Sequence, residues 1–185
     1  MKKRVIAIIL IVIIIAGVLI WYFYPNNEET ENNMQEYQPQ EEITNEQMRQ
    51  TIVTLYFKNK ETNQLVTEGK LIDSKLLLTD PYKELIELLI EGPKNEKFES
   101  TIPEGTKINK VELRGNTVYV DLSKEFIENH IGGEEAEKLT VYSIVNTLTE
   151  LTEVENVKFL IDGEENKAFK DNKIKFDNLF SRLES

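Results

Sequence analysis

The chain has 185 residues, with 33 acidic against 22 basic side chains, a net charge of −11, one histidine and no cysteine. An acidic surface on this scale repels nucleic acid and anionic lipid. The lack of cysteine excludes disulfides, thiolate nucleophiles, thiolate metal sites and lipid attachment through an N-terminal cysteine.

Met1-Lys2-Lys3-Arg4 leads into nineteen uncharged, almost wholly apolar residues, Val5 to Phe23. As a helix they span about 28 Å, close to the ~30 Å hydrocarbon core of a bilayer. A cleaved signal peptide is the alternative, and Ala16-Gly17 is small enough for cleavage. The apolar run continues past it through Val18 to Phe23, and Trp21, Tyr22 and Tyr24 sit where an interfacial aromatic belt belongs. These features favour an uncleaved transmembrane anchor over residues 1–24. Three positive charges precede the span and the next, Arg49, lies far beyond it, which predicts a cytoplasmic N-terminus and an extracytoplasmic remainder, single-pass in the cell membrane. That remainder holds all 33 acidic and 19 of the 22 basic residues, a net −14. Residues 25–50 carry seven Glu, one Arg and few apolar side chains, a composition that predicts a disordered acidic stalk. A flexible coil of this length has ends about 25–30 Å apart.

Residues 51–168 are long enough for one hydrophobic core. Val53, Leu55 and Phe57 alternate as a strand, Asn59 to Asn63 turns, and Leu65 to Ile72 reads as the hairpin partner. Asp80 and Pro81 mark a helix start, with Leu85, Ile86, Leu88 and Leu89 on its buried side and Gly92-Pro93 ending it. Lys94 to Gly105 is a loop. Strands follow at Ile108 to Leu113 and Thr117 to Leu122, joined by an Arg114-Gly115-Asn116 turn, with a short helical turn within Ser123 to Asn129. Gly132-Gly133 opens a long helix, Glu134 to Leu151. Its first turn carries Glu134, Glu135 and Glu137 against the positive end of the helix, and Val141, Ile144, Val145, Leu148 and Leu151 form its apolar face. Val157, Phe159 and Ile161 alternate toward an Asp162-Gly163 turn, predicting a strand over Asn156 to Asp162. A C-terminal extension, 169–185, is predicted with a strand at Lys173 to Phe176 and a last helical turn.

The phrases VYSIVNTLTEL and VKFLIDG, preceded by ELLIEGPK (Glu87 to Lys94) and IPEGTKI (Ile102 to Ile108), resemble the GerMN domain of bacterial sporulation and spore-germination envelope proteins. Some relatives carry two copies in tandem, whereas no repeat is visible here. The element order β-β-α-β-β-α-β predicts an α+β fold, a small mixed or antiparallel sheet with two helices on one face and a polar opposite face. Without the first hairpin this order is similar to the ring-building modules of the sporulation channel between mother cell and forespore.

Nucleophilic catalysis needs a hydroxyl or thiol beside a base. The one imidazole, His130, lies in the loop Glu128 to Gly133, where loop packing or solvent exposure is the expected role. Asp121, between Val120 and Leu122, matches an Asp-Leu-Ser of the resembled family and is expected to cap the following turn with Ser123. Asn146 and Thr147 interrupt an apolar helix, and the Asn146 amide is expected to bond a neighbouring loop or strand end. Asp162-Gly163-Glu164-Glu165 lacks the spaced ligands of a calcium loop, and no glycine pattern forms a phosphate cradle. No catalytic, cofactor-binding or metal-ligating residue is assigned. The resemblance implies a non-enzymatic protein whose partners are other envelope or sporulation-complex proteins, and the membrane through its N-terminal helix. Nucleic acid is not among its expected partners, and a homo-oligomer stays open. The alternative is a small-ligand or cell-wall sensor domain unrelated to spores.

Overall fold

The computed structural model describes residues 15–22 and 49–183. The chain divides into two units, Met1–Glu42 and Ile43–Ser185. In the first, residues 15–22 form a helix, α1, with exposed side chains. No helix among the described residues is long and apolar enough to cross a membrane. The rest of the expected anchor and nearly all of the expected stalk lie outside the described residues.

The second unit begins with β1 (Gln50–Asn59) and β2 (Leu65–Asp73), paired antiparallel from Gln50↔Asp73 to Lys58↔Leu65. Two short elements absent from the sequence reading follow this hairpin. One is α2 (Ser74–Thr79), started by Asp73, whose carboxylate accepts from the Lys75 amide at 2.9 Å. The other is β3 (Phe98–Glu99), which pairs with Lys58 and Asn59 on the other edge of β1. Between them α3 (Pro81–Glu91) starts as expected. Asp80 accepts from the Lys83 amide, Pro81 takes the first helical position, and Leu85, Ile86, Leu88 and Leu89 are buried. Gly92 ends it at φ 93°, where a side chain would be strained.

β4 (Ile108–Arg114) and β5 (Thr117–Leu122) pair antiparallel. After the single turn α4 (Glu125–Glu128) and the helix α5 (Glu134–Leu148), β6 (Asn156–Ile161) pairs parallel to β5. β7 (Phe180–Ser181) adds antiparallel to β6.

The single sheet expected from the element order is therefore two, with orders β2-β1-β3 and β4-β5-β6-β7. The reason lies in β1. Its Val53, Leu55 and Phe57 are apolar and fully or nearly buried, so the first hairpin needs a core of its own to face. It finds one in α3 and α5, which touch each other, and both helices also reach the second sheet, α3 at β4 and α5 at β6 and β7. Val118, Val120 and Leu122 of β5 and Val157, Phe159 and Ile161 of β6 share one face by register and are buried with Val141, Ile144, Val145 and Leu148 of α5. α5 stops at Leu148 rather than Leu151.

The C-terminal segment departs from expectation. No helix forms there among the described residues, and residues 173–176 make only an isolated bridge, Ala168↔Lys175. Its work is aromatic instead. Phe169, Phe176 and Phe180 meet Phe126 and Phe159 with ring centroids 5.2–6.5 Å apart, a range in which aromatic pairs attract. The chain reverses into this segment at Asp162-Gly163, both at positive φ (50° and 79°), the arrangement a tight hairpin turn requires.

A carboxylate placed at Val145 or Leu148 has no partner to meet, and the cost of burying it is comparable to a domain's whole stability of ~5–15 kcal/mol. Val145→Asp and Leu148→Asp are each expected to abolish cooperative thermal unfolding by circular dichroism. Ile52→Asp, at an exposed position of β1, is expected to leave it intact.

Candidate functional site

A cleft of about 310 Å³ opens where the end of β1, the loop through residues 99–104, the loop 129–131 and the first turns of α5 converge. Lys58 and Glu99 pair at 2.8 Å on one rim, and Ile131 stands almost fully exposed on another. His130 forms part of its wall and is only 6% exposed.

His130 lies close to a hydroxyl, as a nucleophile's base would: its Nε2 is 2.9 Å from Thr140 Oγ1. The remaining contacts decide what that pair can do. Nδ1 accepts from the Gly132 amide at 3.0 Å, so the ring proton is on Nε2 and is donated to Thr140. The Thr140 hydroxyl proton in turn goes to a backbone carbonyl, of Thr101 (2.8 Å) or Ala136 (3.0 Å). The imidazole thus has no free lone pair with which to take a proton from Thr140. Its ring packs on Phe169 at 4.6 Å, and burial lowers its pKa below the usual histidine value. Loop packing, not acid–base chemistry, is what these contacts accomplish.

The other hydroxyls around the cleft are equally engaged. Ser100 donates to the Leu89 carbonyl and accepts from the Ile102 amide, and Thr101 donates to Ser143.

Asp121 does not cap the turn with Ser123. Its carboxylate accepts from the Gly163 amide at 3.0 Å, pinning the Asp162-Gly163 turn to the end of β5. Ser123 Oγ instead accepts from the Lys107 amide. Asp121 and Glu112 do border a common depression, but it holds about 60 Å³, too small for a sugar ring. Glu112 is held below the usual carboxylate range, first by its hydrogen bond to Lys110 and then by Arg114, so it stays ionised and cannot serve as a general acid.

Asn146 Oδ1 is buried without a hydrogen-bond partner, contrary to the expected bond to a loop or strand end. Its neighbour makes that bond: Thr147 Oγ1 accepts from the Tyr56 amide of β1 at 3.1 Å. Near the same place Tyr56 and Arg182 both reach the Glu150 carboxylate.

Glu137 is a residue whose environment the sequence conceals. The first turn of a helix suits an exposed glutamate, yet Glu137 is fully buried and neither carboxylate oxygen has a hydrogen-bond partner. Desolvation, then the neighbouring Asp171 carboxylate and Glu134, push its pKa up to about 7. Among the described residues no group of three or more His, Asp or Glu side chains is placed to hold a metal ion.

The raised pKa of Glu137 fixes a sign. The folded state binds a proton that the unfolded chain has released, so this group's contribution to stability falls as pH rises from 4.5 to about 7. His130, lowered in the fold, acts oppositely, and its contribution is lost as pH falls below 6.5. Glu137→Gln is expected to raise stability at pH 8 by about 1–3 kcal/mol and to change little at pH 4.5, as read by denaturant unfolding at the two pH values.

The sporulation and spore germination family described as Germane matches residues 54–167. No curated protein sequence matches the chain. Among solved structures, the tandem GerMN domains of the sporulation protein GerM from Bacillus subtilis match with a TM-score of 0.61 at 24% identity, covering 76% of this chain and 48% of that one. The chain therefore spans about half the length of the tandem structure. The first GerMN domain of the same protein alone matches with a TM-score of 0.60 at 24% identity, covering 71% of this chain and 98% of the domain. At this identity the likeness is one of fold.

Proposed function

The chain belongs to the Germane family of sporulation and spore germination, and from that membership we propose that it is a non-enzymatic docking module, held at a membrane by its N-terminal apolar segment and assembling with other envelope proteins during sporulation or germination. The observation that carries this reading is the family match over residues 54–167. Two physical arguments support it. The imidazole and hydroxyls that could have formed a catalytic pair are committed to holding loops against α5. And the order of segments suits a tether: an apolar stretch behind three basic residues, then about 26 acidic and polar residues, then one folded unit. A linker of that length keeps the domain within a few tens of ångströms of its anchor and raises its effective concentration near membrane partners.

A second reading, an extracytoplasmic domain that senses a small ligand, draws on the 310 Å³ cleft beside His130. Ile131, Ala136 and Leu139 around it suit an apolar group better than a sugar.

Complementation in cells lacking the protein separates docking from chemistry, with the abundance of every variant measured. Deleting residues 1–24 is expected to abolish function, and exchanging them for an unrelated single-pass anchor is expected to restore it. His130→Gln, which keeps a donor toward Thr140, is expected to remain active. Protease added to protoplasts should trim the domain and spare the N-terminus. A fully active anchorless protein beside a folded but dead His130→Gln variant would overturn the docking reading.

A further inference from the structure

β1 presents one edge to β2 and the other to the rest of the molecule, and its amides alternate between the two. Asn59 donates to the Gln64 carbonyl on the β2 side, whereas Lys60 donates to Lys97 and Tyr56 to Thr147 on the other. The amides of Ile52 and Thr54 therefore point away from β2. Neither has a hydrogen-bond partner among the described residues. Together with Thr51 and Val53 they border a groove of about 340 Å³, flanked by Leu77 and Leu85 on one side and by Thr147, Glu150 and Leu151 on the other.

Soluble proteins protect such edges with charge, proline or a bulge. This edge has none of these. From Gln50 to Phe57 no side chain is charged, the pairing with β2 runs without a register shift, and the composition favours a strand. On the outward face of the hairpin Ile52 (70% exposed) lies opposite Leu71 (52% exposed), so apolar surface adjoins the open backbone.

We propose that this edge of β1, over Gln50 to Thr54, is a docking site for an extended segment of a partner protein, which adds as a strand. The proposal rests on the docking reading above and names its surface. Backbone hydrogen bonds to Ile52 and Thr54 hold the segment, and alternate side chains pack beside Ile52 on one face and toward Leu77, Leu85 and Leu151 on the other. The Thr147 hydroxyl on the Tyr56 amide and β3 beyond it close the far end, which limits the added strand to about five residues. The occupant is β-branched or apolar at successive positions, free of acidic residues and flanked by basic ones, because the chain carries −11. A second copy fits poorly. Like charge opposes the approach of two copies.

The test uses the full-length chain in detergent micelles and a defined probe, a synthetic peptide of five alternating Val and Thr residues with two lysines at each end. Amide exchange at Ile52 and Thr54 is expected to slow at least tenfold on adding the peptide. A peptide N-methylated at alternate positions is expected to have no effect. Thr54→Pro removes an amide that the β1–β2 ladder does not use and keeps an extended backbone, and Ile52→Asp alters an exposed side chain. Each is expected to keep the native circular dichroism spectrum and to weaken peptide binding about tenfold or more. Unchanged exchange at millimolar peptide overturns the proposal. So does protection already present without peptide, whether independent of protein concentration (the chain's own residues fill the groove) or dependent on it (a second copy does). In complementation, loss of function in a well-folded Thr54→Pro variant is expected. Full activity of that variant, with deletion of residues 1–24 still abolishing function, removes this edge as the surface while leaving the docking reading in place.

Discussion

The structure depends on a helix buried on nearly every side. Of the fifteen residues of α5, nine are buried. Val141, Ile144, Val145 and Leu148 supply an apolar stripe, but Thr140, Ser143 and Thr147 are buried too, at the three- and four-residue spacing that makes a second stripe of hydroxyls. A helix with two buried stripes has to serve two layers. The hydroxyl stripe can do so only because each oxygen is satisfied: Thr140 by Thr101 and Ala136 carbonyls, Ser143 by the Thr101 hydroxyl and the Thr140 carbonyl, Thr147 by the Tyr56 amide. The bond from a strand amide to a helix hydroxyl requires the two backbones to come close. A leucine at 147 could not admit that approach and would leave the Tyr56 amide buried and unpaired, a loss of roughly 1–3 kcal/mol. α5 thereby joins two sheets into one molecule with one continuous core.

Around the start of the same helix the electrostatics are less settled. Glu137 is buried with no donor, and beside it Asp171 adds a second negative charge. His130, seven residues earlier in the preceding loop, is buried neutral and bonded at both nitrogens. The two groups act on stability in opposite senses, so their effects partly cancel just below pH 6.5. Both abut the C-terminal segment, His130 through Phe169 and Glu137 through Asp171. That segment brings Phe169 and Phe176 into the core, so strain at the helix start is offset by aromatic burial a few residues away.

Which parts were legible in the sequence follows from how local their determinants are. Asp80-Pro81 with Gly92 bracketed α3, the Gly115-Asn116 turn bracketed β4 and β5, and alternation around Phe159 marked β6. All of these signals lie within a dozen residues of the element they specify. The partition into two sheets was not legible, because the pairing of β3 with β1 joins residues forty apart and a two-residue strand has no period to detect. α2 was invisible for a related reason: none of its residues is buried, so it leaves no amphipathic pattern. The role of Asp121 was misjudged because it was assigned to a chain neighbour, and that of Asn146 because the sequence does not say which of two adjacent polar residues meets the strand. Asp121 holds a turn forty-two residues away, and the strand contact belongs to Thr147 rather than to Asn146. Glu137 misled in the same manner, since helix position predicts a solvated first-turn glutamate and only the packing of a distant segment buries it.

Unspent polarity marks where a fold can bind or react. In an enzyme of this size one expects a side-chain donor or acceptor held near a cavity and left free for substrate. Around the cleft beside His130 the imidazole and the hydroxyls are already engaged: His130, Thr140, Thr101 and Ser100 are each bonded within the fold. Among the described residues, the buried side-chain oxygens without a partner belong to Glu137 and Asn146, sealed inside where no ligand reaches them. The amides of Ile52 and Thr54 are at the surface, on a strand that carries no charge until Lys58. Backbone amides on an open strand have little chemistry to offer a substrate but complete a ladder with another chain, and the apolar side chains beside them favour removal from water. This fold uses buried hydroxyls and its only imidazole to fasten two sheets to one helix, and leaves a strand edge open.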